Sequence, residues 1–120
     1  MTTIHKKSLD TPDELRPIEK GTVEVVTLEG GTSFMRLTFQ PGWRWSECVK
    51  PIVGTDSCQV HHVGYTISGR MHVRMGDGTE MDIGPGDATE IPPGHDAWIV
   101  GTEPFVSIDF QGADEYAKSE

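Results

Sequence analysis

The stretch from Val60 to Ile99 reads VHHVGYTISGRMHVRMGDGTEMDIGPGDATEIPPGHDAWI, and it divides into short runs separated by glycine and proline. Two of these runs, 71–75 and 79–83, flank the sequence Gly76-Asp77-Gly78. An Asp-Gly step supplies the positive φ angles that tight turns between antiparallel strands require. We therefore predict that these two runs form a β-hairpin.

The same pattern of short runs and turns extends over most of the chain. Turn signals recur about every 8–12 residues, a spacing typical of a sandwich or barrel of short strands. Side chains in 34–39 and 105–110 alternate with a period of two, which places one set of them in a core. The chain also contains 14 glycines and 8 prolines, which disfavour long helices. We predict an all-β protein.

Length and charge limit the class of protein. The 120 residues suffice for one domain. Basic residues number 10 and acidic residues 19, and the net charge of −9 repels nucleic-acid phosphates and anionic membranes. No apolar run approaches the roughly 20 residues that cross a bilayer, and no apolar stretch of a signal peptide follows Lys6 and Lys7. We expect a cytoplasmic protein with no nucleic-acid or membrane partner.

The sequence contains no internal repeat, no low-complexity run and no linker, so the division into regions is simple. Residues 1–20 are polar, contain Pro12 and Pro17, and are expected to form an arm or a short leading strand. Residues 21–112 carry the strand pattern. Residues 113–120 are polar, and for this tail we leave open a short helix or a frayed end.

The cysteines and histidines are the residues that could carry chemistry. Cys48 and Cys58 are interpreted first as buried free thiols, with metal ligation or redox chemistry as the alternatives. Imidazole is the usual nitrogen ligand of transition metals. His61 and His62 are neighbours in a predicted strand, so their side chains point to opposite faces. His61 shares a face with apolar side chains, but this does not decide which histidine faces a pocket.

Two motifs in the quoted stretch resemble those of the cupin superfamily. In the second motif, Gly86, five intervening residues, and Pro92-Pro93-Gly94 have the family's spacing; Gly69 matches the glycine that closes the first motif. The resemblance covers about a third of the chain. It implies a double-stranded β-helix, the jelly-roll barrel, for residues 21–112.

The family's metal ligands are only partly present. The resemblance places His62 where cupins carry a carboxylate, and their His-x-His pair on Thr55 and Ser57 or on Asp56 and Cys58. The second-motif histidine would fall on Ala97, whereas this chain has His95 directly after Gly94. The usual set of ligands cannot be carried over unchanged.

Two hypotheses for the site follow. In the first, His62 and His95 bind a divalent metal together with Cys58 or His61, and such nitrogen and sulfur ligands suit zinc or iron. In the second, the barrel holds no metal, and His62 or His95 acts as a general acid or base.

Aromatic side chains are the candidates for ligand binding. Trp43 and Trp45 flank Arg44 on a predicted strand and so share a face; Tyr65 and Trp98 complete the set. Packing in the core or at an interface is the alternative for the tryptophans.

Together these features predict a small-molecule-binding cupin. One form of the hypothesis is a metal-dependent enzyme, and the other is a non-catalytic metabolite-binding or sensor module without metal. Short cupins commonly dimerise, so we expect a symmetric homodimer.

Overall fold

The structure, a computed structural model, describes residues 3–111 together with Ala113 and Tyr116. These residues form antiparallel strands with little helix, which confirms the all-β prediction. The elements are β1 (Glu14–Ile18), β2 (Gly21–Thr27), β3 (Ser33–Phe39), α1 (Trp45–Cys48), α2 (Lys50–Val53), β4 (His62–Ser68), β5 (Arg70–Met75), β6 (Glu80–Ile83), β7 (Ala88–Ile91), β8 (His95–Val100) and β9 (Phe105–Gln111).

Two sheets enclose the core. A six-stranded sheet has the order β1-β2-β3-β9-β4-β7, and a three-stranded sheet has the order β6-β5-β8. The predicted alternation in β3 and β9 is observed, because every second residue is buried. In β9 the buried set is Phe105, Ser107 and Asp109, so this strand turns polar side chains toward the interior. This inward orientation places Asp109 at the candidate site described below.

The predicted hairpin is confirmed as β5 and β6. Met71 lies opposite Ile83, and both side chains are buried. Gly78 has a φ of 92° at the turn, a conformation that glycine adopts without steric cost.

The prediction that Trp43, Arg44 and Trp45 lie on a strand is wrong. Only Arg44 pairs, in an isolated bridge with Trp98, and α1 begins at Trp45. A side chain favours the helical turn here, because Asp96 Oδ1 accepts a hydrogen bond of 3.1 Å from the backbone N–H of Ser46. Both tryptophans are nevertheless buried, at 2% exposure each.

Described residues of the segments 1–20 and 113–120 contact the barrel. The segment 1–20 contains β1, which pairs with β2. Arg16 in β1 is buried and donates a hydrogen bond of 2.7 Å to the backbone oxygen of Tyr116. Within the predicted tail, Ala113 and Tyr116 are buried, and the other residues of 113–120 lie outside the described set. No described helix has the length and apolar character of a membrane span.

Candidate functional site

Backbone pairing places Cys58 beside His95. The two residues form an isolated antiparallel bridge, in which the Cys58 N–H donates to the His95 oxygen at 2.7 Å. The N–H of Gly94 donates to the Cys58 oxygen, also at 2.7 Å. Gly94 has a φ of 96° and ends the Pro92-Pro93-Gly94 turn into β8. Directly opposed residues of an antiparallel pair project their side chains to the same side.

His62 completes a buried cluster with these two residues. It opens β4, where it pairs with Ile91 of β7, and its Nε2 lies 3.6 Å from Cys58 Sγ. The His62 and His95 rings are 5.4 Å apart between centroids. One ligand atom from each of Cys58, His62 and His95 lies within 4.8 Å of the others. We call these three residues the Cys58–His62–His95 cluster.

Oxygen acceptors fix the orientation of both imidazoles. His62 Nδ1 lies 2.6 Å from Asp109 Oδ2, and both side chains are buried. His95 Nδ1 lies 2.8 Å from the backbone oxygen of Pro92. With Nδ1–H donating in each ring, Nε2 is the nitrogen left for the cluster, the arrangement that metal-binding histidines commonly have.

Asp109 fits against β4 because its neighbour there is glycine. Gly64 lies opposite Asp109 in the register of β4 and β9. A Cβ at Gly64 would lie 2.3 Å from Asp109 Oδ1 and 2.6 Å from the Ile108 backbone oxygen. Any larger residue would therefore displace the carboxylate that holds His62.

Burial and charge change the acidity of the cluster. Burial raises the pKa of the Cys58 thiol, but hydrogen bonds and the positive charges of His62 and His95 outweigh burial and lower that pKa to about 6. For His62, burial lowers the pKa, whereas Asp109 and Cys58 raise it to about 9. Between these values the Cys58–His62 pair shares one proton, as coupled neighbours do.

A small cavity adjoins the cluster. Its volume is about 30 Å³, which is room for two or three water-sized atoms. Its wall combines the cluster histidines with aromatic, aliphatic and hydroxyl side chains: Leu37, Phe39, Trp43, Trp45, His62, Thr66, Met71, Ile83, Thr89, Ile91, His95, Ala97, Phe105, Ser107, Asp109 and Tyr116. Trp43 and Trp45 both line this cavity.

His61, which the sequence offered as a candidate metal ligand, lies outside the Cys58–His62–His95 cluster. His61 lies on the outer face of the sheet, where Nε2 is 3.0 Å from Glu90 and Nδ1 accepts from Gln111 at 3.2 Å. The inward face of β4 carries His62, Gly64 and Thr66, which are buried.

Two aromatic candidates also lie outside the cavity. Tyr65 lies on the same outer face of the sheet as His61 and is 46% exposed. Trp98 lies on the outer side of β8, with the Arg44 guanidinium 4.2 Å and the His72 ring 4.9 Å from its own ring. Neither Tyr65 nor Trp98 is among the described residues that line the cavity.

The structure also explains how the altered second motif is accommodated. Ala97, at the position where cupins carry a histidine, lines the cavity, and His95 lies two residues earlier on the same face of β8. Asp109 is a site residue that sequence reasoning missed. It lies 47 residues from His62, and the available signal was the polar set Ser107 and Asp109 within an alternating strand.

The donor set suits a metal ion. Ligands held about 2.0–2.3 Å from a tetrahedral ion lie about 3.3–3.8 Å from one another. The 3.6 Å between Cys58 Sγ and His62 Nε2 falls within that range. Catalytic zinc sites commonly have three protein ligands.

Comparison with known proteins agrees with the architecture. No family model and no curated protein matches the sequence. A Rhizobium leguminosarum protein of unknown function has a TM-score of 0.63 and 18% identity, over 92% of this chain and 99% of that one. Bacillus subtilis oxalate decarboxylase gives 0.57 and 24%, over 87% of this chain and 29% of its own. A cupin-like protein from Thermotoga maritima gives 0.53 and 20%, over 76% of this chain and 67% of its own. The chain therefore has the cupin fold that its two sequence motifs predict.

Proposed function

We propose that the barrel interior binds one divalent transition-metal ion through Cys58, His62 and His95. The observation that supports this most strongly is the convergence of three buried donor atoms within 4.8 Å, with both imidazoles already oriented through Nδ1. Buried polar groups need partners, and this cluster offers sulfur and nitrogen lone pairs to one point.

Zinc or iron fits this donor set. Thiolate and imidazole favour zinc and iron, whereas manganese prefers oxygen ligands. The Bacillus subtilis oxalate decarboxylase of similar fold has Mn(II) centres, which supports metal binding in a barrel of this kind. The thiol in the present cluster argues for a different metal.

A metal ion at this site would act as a Lewis acid and would lower the pKa of a bound water molecule. The protein's own groups have separate roles. Asp109 holds the ring of His62, the Pro92 oxygen holds that of His95, and the apolar wall excludes bulk water. The buried cysteine is the softest of the three ligands.

The size of the cavity restricts the ligand. Metabolite pockets usually have volumes of about 300–1,000 Å³, against about 30 Å³ here. This difference favours a metal-dependent function with a very small ligand over a metabolite-binding or sensor module.

A second candidate function is thiol chemistry without metal. Cys58, His62 and Asp109 form a chain of contacts of 3.6 and 2.6 Å, in the order of nucleophile, base and orienting carboxylate. The same residues would serve both candidate functions. The two candidates differ in whether the purified protein contains metal, so its metal content distinguishes them.

The test is the metal content of protein purified without chelators, measured by plasma mass spectrometry. We expect about one zinc or iron ion per chain, lost in Cys58→Ser and His95→Gln but retained in His61→Gln. The His61 variant is the matched control because it removes an imidazole from the outer face of the same strand region. Wild-type protein without metal, in medium supplemented with zinc and iron, would contradict the proposal and favour thiol chemistry.

We also propose a homodimer. Within the described residues, β1 and β7 form the edges of the larger sheet and β6 and β8 those of the smaller one, so strand edges are open for pairing. On the outer face, Tyr65, Ile67 and Phe110 are 46%, 51% and 48% exposed. Sedimentation equilibrium should give twice the chain mass of 13.2 kDa, and a mass of 13.2 kDa would contradict this proposal.

A further inference from the structure

Two buried hydroxyl groups lie next to each other in the barrel interior. Thr66 of β4 lies directly opposite Ser107 of β9 in the register of the larger sheet, and the two residues are 2% and 5% exposed. Both line the cavity that adjoins the metal-ligand cluster. Residues that oppose each other in an antiparallel pair have Cβ atoms about 4.5–5.5 Å apart. We call these two residues the Thr66–Ser107 pair.

A second threonine–serine pair in the same sheet provides a comparison. Thr27 of β2 lies opposite Ser33 of β3, and their hydroxyl oxygens are hydrogen-bonded at 2.8 Å on the exposed surface. In the Thr66–Ser107 pair, neither hydroxyl has a hydrogen-bond partner among the described residues. Buried polar groups in folded proteins are nearly always paired, so the buried pair needs an explanation.

The two unpaired hydroxyls are open to the cavity. Among the described residues, the indole nitrogen of Trp43 is the one buried side-chain nitrogen or oxygen that is both closed to water and unpaired. The hydroxyls of Thr66 and Ser107 are unpaired without being closed, and both residues line the cavity. Thr66 is also fixed in place, because its backbone N–H donates to the Asp87 oxygen and its backbone oxygen accepts from Gly86, each at 3.0 Å.

The surroundings of the pair favour an uncharged ligand. Asp109 lies two residues from Ser107 on the same face of β9 and also lines the cavity. The described residues of the cavity wall include no lysine or arginine, and the His62 imidazole already contacts Asp109 and Cys58. A buried anion would therefore have no free cationic side chain to pair with, which is costly.

A bound metal would not change this balance. The two positive charges of a divalent ion in the cluster would be matched by the Cys58 thiolate and the Asp109 carboxylate. The cavity volume of about 30 Å³ limits the ligand to two or three heavy atoms. Each hydroxyl can both donate and accept a hydrogen bond.

We propose that the Thr66–Ser107 pair binds an uncharged ligand of two or three heavy atoms that both donates and accepts hydrogen bonds, such as a small amide or alcohol. One hydroxyl donates to the ligand oxygen, and the other accepts from its N–H or O–H. The inference goes beyond the proposed metal site and does not require the metal, because neither residue belongs to the Cys58–His62–His95 cluster. Formamide, with three heavy atoms, is a suitable probe.

The first test is a formamide titration of ¹⁵N-labelled protein from zinc-supplemented medium, followed by ¹H–¹⁵N NMR. The backbone amide signals of Thr66 and Ser107 should move and reach saturation, whereas those of Thr27 and Ser33 should not move. Formate has the same number of heavy atoms and one negative charge. We expect it to bind about tenfold more weakly than formamide, because its charge would be buried without a free cationic side chain.

The second test removes each hydroxyl in turn. Thr66→Val and Ser107→Ala should each bind formamide about three- to tenfold more weakly, since one neutral hydrogen bond to the ligand is lost. Neither hydroxyl has a bond within the described protein to lose, so the urea midpoint of ligand-free protein should stay the same or rise. Thr27→Val is the matched control outside the cavity, and its formamide affinity should stay within about twofold of wild type.

Several results would overturn this inference. Stationary Thr66 and Ser107 signals would do so, as would equal formamide affinity in wild type, Thr66→Val and Ser107→Ala. Tighter binding of formate than of formamide would contradict the uncharged ligand class. A lower urea midpoint with unchanged formamide affinity in Thr66→Val would assign the hydroxyl a structural role instead. The metal content of the same samples tests the metal proposal separately, so the two failures are distinguishable.

Discussion

At the start of β4, the outer and inner faces of the strand each carry a histidine, and the surroundings of the two histidines differ. His61 and His62 are neighbours, and each contacts a carboxylate, Glu90 for the first and Asp109 for the second. His61 and Glu90 are exposed to solvent, whereas His62 and Asp109 are buried. His61 and His62 point to opposite faces of the strand, so one histidine makes a surface contact and the other belongs to the buried Cys58–His62–His95 cluster.

The comparison shows what burial adds to an imidazole–carboxylate pair. In water such a pair contributes about 0–1 kcal/mol, because solvent screens the charges and both side chains lose freedom. In the interior, removal of one partner leaves an uncompensated charge and costs about 3–5 kcal/mol. The buried pair also holds its ring in one orientation, which the cluster requires.

The largest expected difference in stability is between removal of the buried carboxylate of Asp109 and removal of the exposed carboxylate of Glu90. We expect Asp109→Ala to lower the free energy of unfolding by about 3–5 kcal/mol, since it leaves His62 buried without its partner. Any folded fraction should bind zinc about 10–100-fold more weakly. Glu90→Ala, the control on the outer face, should change stability by about 1 kcal/mol at most. Urea unfolding measures the stability of both variants. Equal losses of stability in Asp109→Ala and Glu90→Ala would contradict the distinction between the two faces.

A somewhat smaller effect is expected at the glycine that makes room for Asp109. Gly64→Ala places a methyl group against the Asp109 carboxylate and the Ile108 oxygen. We expect a loss of about 2–3 kcal/mol, as for other overpacked sites, together with weaker zinc binding. Gly30→Ala is the control, because its Cβ would meet no atom within 4 Å. If Gly64→Ala left stability and zinc affinity unchanged, the proposed role of Gly64 would be wrong.

The smallest predicted effect is a shift in the pKa of the Cys58 thiol in metal-free protein. The pKa of Cys58 is lowered to about 6, so its thiolate should form as the pH rises through about 6. In His62→Gln the imidazolium is gone, and the midpoint should move upward. Ultraviolet absorption of the thiolate near 240 nm, with Cys58→Ser subtracted, measures this transition. Cys48→Ser should leave it unchanged, because burial raises the pKa of Cys48. An unaltered midpoint in His62→Gln would contradict the coupling.

The fold was predictable from local signals. The spacing of turn residues indicated a barrel or sandwich of short strands, and the run from Gly86 to Gly94 resembles a cupin motif. Positive φ angles at Gly78, Gly86 and Gly94 show why these positions carry glycine. Such signals act over a few residues, so they are visible in a single sequence.

The residues of the candidate site were predictable only in part. Cys58, His62 and His95 were identified by residue type and by their place in the motifs. The choice between His61 and His62 depended on which face of β4 is inside, and the interior face proved to be the less apolar one. Asp109 was missed because its contact with His62 depends on the pairing of β4 with β9, which strand alternation does not reveal.

The most direct test of the central claim is X-ray absorption spectroscopy at the edge of the metal bound to wild-type protein. We expect one sulfur ligand at about 2.3 Å and two imidazole nitrogens at about 2.0–2.1 Å. Loss of the sulfur shell in Cys58→Ser, with the shell intact in His61→Gln, would confirm which face binds the metal. A wild-type spectrum that contains only nitrogen and oxygen ligands would contradict the proposed metal site at Cys58, His62 and His95.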